Sequence, residues 1–165
     1  MTPWVLETLA KYNAQATLFL VGKNAERYPD HVQRILSQGH AIGNHTYDHL
    51  NGFETSAANY RDNINQAAAI FPSSLFRPPY GKITPWQYRF LRSKYKVILW
   101  DVLSRDYDSQ LNEKECIALV INKTRNGSII VMHDSEKAKA RLMGCLPAVL
   151  NYYSKRNFTF DKIEF

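Results

Sequence analysis

Short apolar runs alternate with segments of helical spacing along the whole chain, and this alternation limits the fold more than any other feature. Ala16–Val21 reads as a buried strand closed by Gly22, and Val32–Leu36 as a short helical pattern ended by Gln38-Gly39. Ala41–Gly43 is a short strand, Ala57–Phe71 carries helical spacing up to Pro72, and Leu75–Phe76 is a strand running into Arg77-Pro78-Pro79. Thr84-Pro85 opens another helix, with Thr as cap and Pro in the first turn. Val97–Trp100 follows as a strand, and Asn112–Thr124 as a helix with Asn112 as cap and Glu115 three residues on. Ser128–Met132 is a strand, Glu136–Tyr153 a helix that Pro147 kinks or splits, and Phe158–Phe160 a last strand. Strand and helix in turn predict an α/β fold: a parallel sheet with helical crossovers, barrel-like or open. No internal repeat, low-complexity tract or linker interrupts the pattern, and 165 residues fit one domain.

The chemistry-bearing residues fall where such folds build their sites, just past the C-terminal ends of strands. The first cluster is Asn44-His45-Thr46-Tyr47-Asp48-His49. Two His four apart share a face if the segment is helical, and neutral imidazoles so placed can both reach a divalent ion such as zinc. The bland alternative is two surface histidines on a polar loop. The second cluster, Arg77-Pro78-Pro79-Tyr80-Gly81, pairs a stiff backbone with a glycine that permits an unusual turn. It can present a backbone N–H to an oxyanion, and Arg77 offers a fork to a carboxylate. The third, Trp100–Asp108, holds three acids that can partner a cation or a histidine, or simply be solvated. In the fourth, Ile129–Asp134, His133 ends an apolar strand beside acids able to orient it as a general acid.

Composition narrows the partners. Hydrophobic residues at 45% and charged residues at 22% are an ordinary soluble balance. Aromatics at 13%, ten of them Tyr, can line a groove for a sugar or simply pack half-buried. The net charge is +6, but Lys and Arg form no long block, read as solvated surface, and accompany no nucleic-acid motif. Cys116 and Cys145 lack a CxxC or Cys/His zinc spacing; they can form one disulfide, but two core thiols are the favoured expectation. The N-terminus, with Glu7 and Lys11, shows no secretory signal, and no apolar run approaches the ~20 residues of a membrane span. The oligomeric state has no signature here.

The four clusters in this order resemble the polysaccharide deacetylases, carbohydrate esterases with a NodB homology domain. Ala16–Asp30 looks like that family's strand and helix before the metal site, and Gln38–His49 like its metal-binding motif. Arg77–Gly81, Trp100–Tyr107 and Val131–Asp134 look like its later motifs, with Tyr107 where many members have Trp. The resemblance covers nearly the whole chain. It implies a distorted (β/α) barrel and hydrolysis of an N-acetyl, sometimes O-acetyl, group on an acetylated polysaccharide or oligosaccharide such as chitin or peptidoglycan. It implies that His45 and His49 ligate a divalent metal, usually zinc. Tyr80 would give its backbone N–H to the oxyanion, His133 would protonate the departing amine with Asp106 orienting it, and Arg77 would position the base. Most such relatives act outside the cytoplasm or in the envelope.

One departure stands out. The family's first motif is a strand ending in two consecutive aspartates, one the base and one the third metal ligand, just before the segment matching Thr2-Pro3-Trp4. Only Met1 precedes that segment, and no Asp-Asp pair occurs in the sequence, so the resemblance implies an N-terminally truncated domain lacking that first strand. Asp48 and Asp134 are the nearby acids for the vacant ligand role. Two readings follow: a deacetylase whose start is truncated, or a non-catalytic descendant that binds sugar or metal. Loss of the base alone would lower the rate on the order of 10²–10⁴.

Overall fold

The computed structural model describes residues 1–165, and every strand pair in it is parallel. Two compact units divide the chain: Thr17–Leu99 with Lys162–Phe165, and Met1–Ala16 with Trp100–Asp161. No helix is long and apolar enough to cross a membrane.

In the first unit β1 (Thr17–Leu20), β2 (Ala41–Asn44), β3 (Leu75–Phe76) and β4 (Lys96–Val97) form one sheet in that order. Strands consecutive in sequence and parallel in space need a crossover, and helices supply it. A helix at Pro29–Ser37 joins the first two strands, one at Ala57–Ile70 the next two, and one at Pro85–Leu91 the last. Thr84 caps the last of these with a full capping box: its hydroxyl accepts the Gln87 amide while Gln87 Oε1 accepts the Thr84 amide at 2.9 Å. The amide end of Gln87, buried, donates to the carbonyls of Gly52 and Thr55 and ties the helix to the preceding loop. Tyr60, Ile64, Phe76 and Leu91 form the core between helices and sheet.

Phe19 and Gly43 lie opposite each other in the β1–β2 register. A Cβ on Gly43 would stand 2.4 Å from the Phe19 ring, so the ring occupies the space a side chain would need. Gly43→Ala is expected to lower stability by about 1–3 kcal/mol, the usual range for overpacking, in a urea unfolding curve. A variant as stable as the parent would show that the ring moves freely.

The second unit holds β5 (Val102–Leu103) paired with β6 (Ile130–Val131). The numbered helices of the chain, in order, are α1 (Thr2–Ala10), α2 (Gly22–Arg27), α3 (Pro29–Ser37), α4 (Ala57–Ile70), α5 (Pro85–Leu91), α6 (Glu113–Lys123) and α7 (Lys139–Ser154). Asn112 and Glu115 make the expected capping box on α6, and α6 packs on α7 through Cys116, Val120, Cys145 and Val149. α1 packs on α7 through Leu9, Leu142, Leu146 and Leu150. α7 runs unbroken through Pro147 rather than splitting there, its buried face carrying Cys145, Leu146, Val149 and Leu150 on both sides of the proline.

Two strand expectations change. Phe158–Phe160 is not a strand: Phe160 accepts one backbone hydrogen bond, from Gln15, and its segment is held by side-chain burial. The strand expected over Val97–Trp100 stops at Val97, because the Arg77 side chain takes the carbonyls of Ile98 and Leu99.

Cys116 and Cys145 are free, buried thiols, as expected. Burial raises both, and Cys145 is pushed from the ordinary 9.0 up to about 12. Between those two values an unfolded thiol has lost its proton while the folded one keeps it, so rising alkali favours unfolding. Dithionitrobenzoate at neutral pH should react with neither thiol in the native protein and with both in denaturant. Fast native labelling would contradict the burial.

Candidate functional site

The His45–His49 segment leaves β2 as a loop, not a helix, so the pairing expected from helical spacing arises differently. Thr46 and His49 both sit in the left-handed region, at φ 63° and 60°, which no continuous helix allows. Two asparagine side chains hold the loop in place of helical hydrogen bonds. Asn44, 1% exposed, donates to the carbonyl of Ile64 in α4 at 3.0 Å and accepts the Thr46 amide at 2.9 Å. Asn63 of α4 accepts the amides of Tyr47 and Asp48 at 2.8 and 3.0 Å and donates to the Asp48 carboxylate at 2.8 Å. From the other side, the first amides of α2, on Gly22 and Lys23, donate to the carbonyls of Thr46 and Tyr47. A side chain at Gly22 would meet the Tyr47 ring at 2.8 Å and Ala67 at 2.9 Å, so only glycine lets α2 come this close.

This scaffold brings the His45 and His49 rings edge to face, centroids 4.8 Å apart. His45 Nδ1 lies 2.6 Å from the Arg77 carbonyl. A carbonyl only accepts, so Nδ1 carries the proton and the neutral ring has its lone pair on Nε2, the arrangement second-shell partners give metal-binding histidines. Asp48 spends its carboxylate on Asn63, and nowhere do three or more His, Cys, Asp or Glu group to hold a metal ion.

Arg77 extends the β2–β3 ladder, its amide donating to the Asn44 carbonyl at 3.0 Å. Its buried guanidinium lies 4.1 Å over the Phe19 ring and donates to the carbonyls of Ile98 and Leu99 at 3.2 and 3.1 Å. Burial lowers its pKa to about 10, which leaves it charged at neutral pH. Pro78 and Pro79 lead into Tyr80 and Gly81, both left-handed at φ 60° and 69°. The amides of Gly81 and Lys82 close this turn on the carbonyls of Pro78 and Pro79, which leaves the Tyr80 amide outside the turn's hydrogen bonds. The exposed Tyr80 ring meets His49 edge to face at 4.8 Å.

In the other unit the three acids of the Trp100–Asp108 segment have separate tasks. Asp101 accepts the Ile129 amide at 2.9 Å and starts the β5–β6 pairing. Asp108 accepts the Gln110 amide and pairs with Arg105 at 2.6 Å, which together hold its carboxyl below the ordinary value. Asp106 is fully buried and grips His133 twice, through Nδ1 at 2.6 Å and through the backbone amide at 2.7 Å. Arg141 of α7 fixes the Asp106 backbone by donating to its carbonyl at 2.5 Å. The His133 side chain is 36% exposed, with the Tyr107 ring packed edge to face at 4.8 Å. With Nδ1 held by a carboxylate, Nε2 is the atom that can exchange a proton. Asp134 is exposed.

The structure thus groups His45, His49, Arg77 and Tyr80 within one unit, and Asp106 with His133 in the other. Asn63 and Gly22 went unread in the sequence. An asparagine inside a helix reads as surface, and a glycine after a strand as a terminator; only tertiary contact shows them to be the loop's supports.

The chain belongs to the polysaccharide deacetylase family, whose sequence profile matches residues 1–93. Among its relatives, a peptidoglycan-N-acetylglucosamine deacetylase of Bacillus cereus is 34% identical over 142 residues, which is 81% of this chain and 51% of that protein. This chain therefore spans about half the length of that relative. A chitooligosaccharide deacetylase of Azorhizobium caulinodans is 32% identical over 145 residues, 81% of this chain and 67% of that protein. The crystal structure of a peptidoglycan N-acetylglucosamine deacetylase, in complex with a naphthyl-substituted N-oxidanyl-benzamide, superposes with a TM-score of 0.91 at 27% identity, covering 98% of this chain and 79% of that one. The expected α/β deacetylase fold is therefore the fold observed.

Proposed function

We propose that this chain is a zinc-dependent deacetylase acting on N-acetylglucosamine units of a polymer such as peptidoglycan or chitin. The observation that carries the proposal is the His45–His49 pair at 4.8 Å, with the His45 tautomer fixed by the Arg77 carbonyl. Imidazole nitrogens with a hydrogen-bonded second shell fit zinc, and these two side chains would hold it. Zinc, when bound, supplies a Lewis acid for the acetyl carbonyl. The names of the relatives support the same bond and sugar class.

The remaining assignments concern side chains of the chain itself. Hydrolysis adds water to the acetyl carbon and breaks the C–N bond, and the leaving amine must gain a proton. His133 Nε2 gives that proton, held in orientation by Asp106 through Nδ1. The Tyr80 amide, outside its turn's hydrogen bonds, receives the oxyanion. Arg77 would position a base only where an acid outside the assigned side chains supplies one, since its guanidinium here donates to the carbonyls of Ile98 and Leu99. No Asp-Asp pair occurs in residues 1–165, so the base is not among the side chains assigned.

The test combines elemental analysis with acetate release. The chain dialysed against zinc is expected to keep about one ion, and His45→Ala or His49→Ala to lose it. With zinc present, acetate should appear from peptidoglycan or chito-oligosaccharide. Zinc content at background in the parent chain would sink the metal assignment. Zinc retained with no acetate from either glycan would favour the binding-only reading.

A further inference from the structure

Residues 63–100 contain six of the 21 Lys and Arg and none of the 15 Asp and Glu. The rest of the chain is balanced at 15 of each, so this stretch carries the entire net charge of +6. Its cations are separated by apolar residues, and only the missing acids reveal them as a block. Arg77 is buried, but Lys82, Arg89, Arg92, Lys94 and Lys96 are all exposed. No ion pair involves any of these five. The acids on neighbouring elements are already engaged: Glu54 accepts from Asn51 at 2.7 Å, and Asp62 pairs with Arg61 at 3.3 Å.

The α5 part of this stretch also exposes aromatic rings. Trp86 on α5 is 75% exposed, and Pro85, Trp86, Tyr88, Arg89 and Arg92 line an open cleft of about 300 Å³. Phe53, also exposed, has the Lys82 ammonium 5.9 Å from its ring centre. Leaving an indole in water on a seven-residue helix gains nothing for the fold, whose buried side is already made by Gln87 and Leu91. Flat apolar rings beside unpaired guanidiniums suit a ligand with apolar ring faces and carboxylates.

We propose that the α5 face, with Trp86 as platform and Arg89 and Arg92 as anion anchors, binds a carboxylate-bearing glycan. That is the chemistry of peptidoglycan with its peptide stems, and not of neutral chitin. The inference rests on the deacetylase reading and narrows it, since it selects the acidic polymer as the surface the chain docks on. A neutral glycan could use the indole but would leave the cations unanswered.

Co-sedimentation with insoluble peptidoglycan and with chitin tests this, using the whole chain, Trp86→Ala and the double variant Arg89→Glu/Arg92→Glu. All three positions are exposed, so melting midpoints should match the parent's. Peptidoglycan should be bound more tightly than chitin, and charge reversal should weaken that binding roughly tenfold or more. Raising salt from about 0.05 to about 0.5 M should weaken the parent similarly, a readout that stands even if the double variant misfolds. Equal binding to both polymers, salt-independent binding, or full binding by a folded double variant would overturn the proposal. So would duplex DNA competing as well as soluble peptidoglycan fragments, since the face would then be a general cation patch. Acetate release by the parent chain is scored separately. Release without charge-dependent binding ends the docking proposal alone, and charge-dependent binding without release ends the catalytic one.

Discussion

Asn44→Ala is expected to lower the unfolding free energy by about 2–4 kcal/mol and to weaken zinc binding roughly 10–100-fold. The Asn44 side chain is 1% exposed and works in both directions, donating to α4 and accepting the amide of Thr46. Alanine leaves those partners buried with nothing to replace the bonds, and a buried orphan costs about 1–3 kcal/mol each. The zinc effect comes by another route. Thr46 is left-handed, and its amide bond to Asn44 is what holds that conformation between the two histidines. Asn63→Ala separates the effects. Asn63 is only half-buried, so its loss should cost about 1 kcal/mol, yet it frees the amides of Tyr47 and Asp48 and should weaken zinc comparably. Urea unfolding and zinc titration check both variants. Parent-like zinc affinity in Asn63→Ala would show that the loop holds its shape without the helix.

These two asparagines also mark where sequence reading stops. Caps are local rules, and Thr84-Pro85 and Asn112 with Glu115 announced their helices because the whole signal sits within four residues. The apolar runs of β1, β2 and β3 are equally plain, each a short apolar stretch bounded by turn residues. The histidine loop is not, because its supports lie on α4, and hydrogen bonds spanning 15 and 16 residues leave no periodic trace. The end of β4 is hidden for the same reason: Ile98 and Leu99 look like strand, but a guanidinium from 21 and 22 residues away takes their carbonyls. β5 is hidden because Val102-Leu103 lies between Asp101 and Asp106 in a stretch that reads as an acidic loop. The basic stretch forms no run of cations, and its signature is the absence of acids from residues 63–100.

The residues of the Asp106–His133 pair were legible, and their geometry makes the sharpest catalytic forecast. In a preparation that releases acetate, His133→Ala should lower kcat on the order of 10²–10⁴, the range for removal of a general acid, with zinc content unchanged. His133 is 36% exposed, but truncating it leaves Oδ1 of the fully buried Asp106 without its partner, so stability should also fall by about 1–3 kcal/mol. Asp106→Asn tests the partner. An asparagine can keep an oxygen on the His133 amide, but then it turns its NH2 toward Nδ1, which must become an acceptor. The neutral ring would carry its proton on Nε2, and the protonated ring would lose the carboxylate that holds it. A fall in kcat with KM and zinc content retained would therefore point to proton delivery rather than to metal or substrate binding. Asp106→Ala, by contrast, orphans the buried His133 amide as well and should cost about 1–3 kcal/mol of stability in addition. A His133→Ala chain with undiminished kcat would remove this histidine from the chemistry, whatever Asp106 does for the fold.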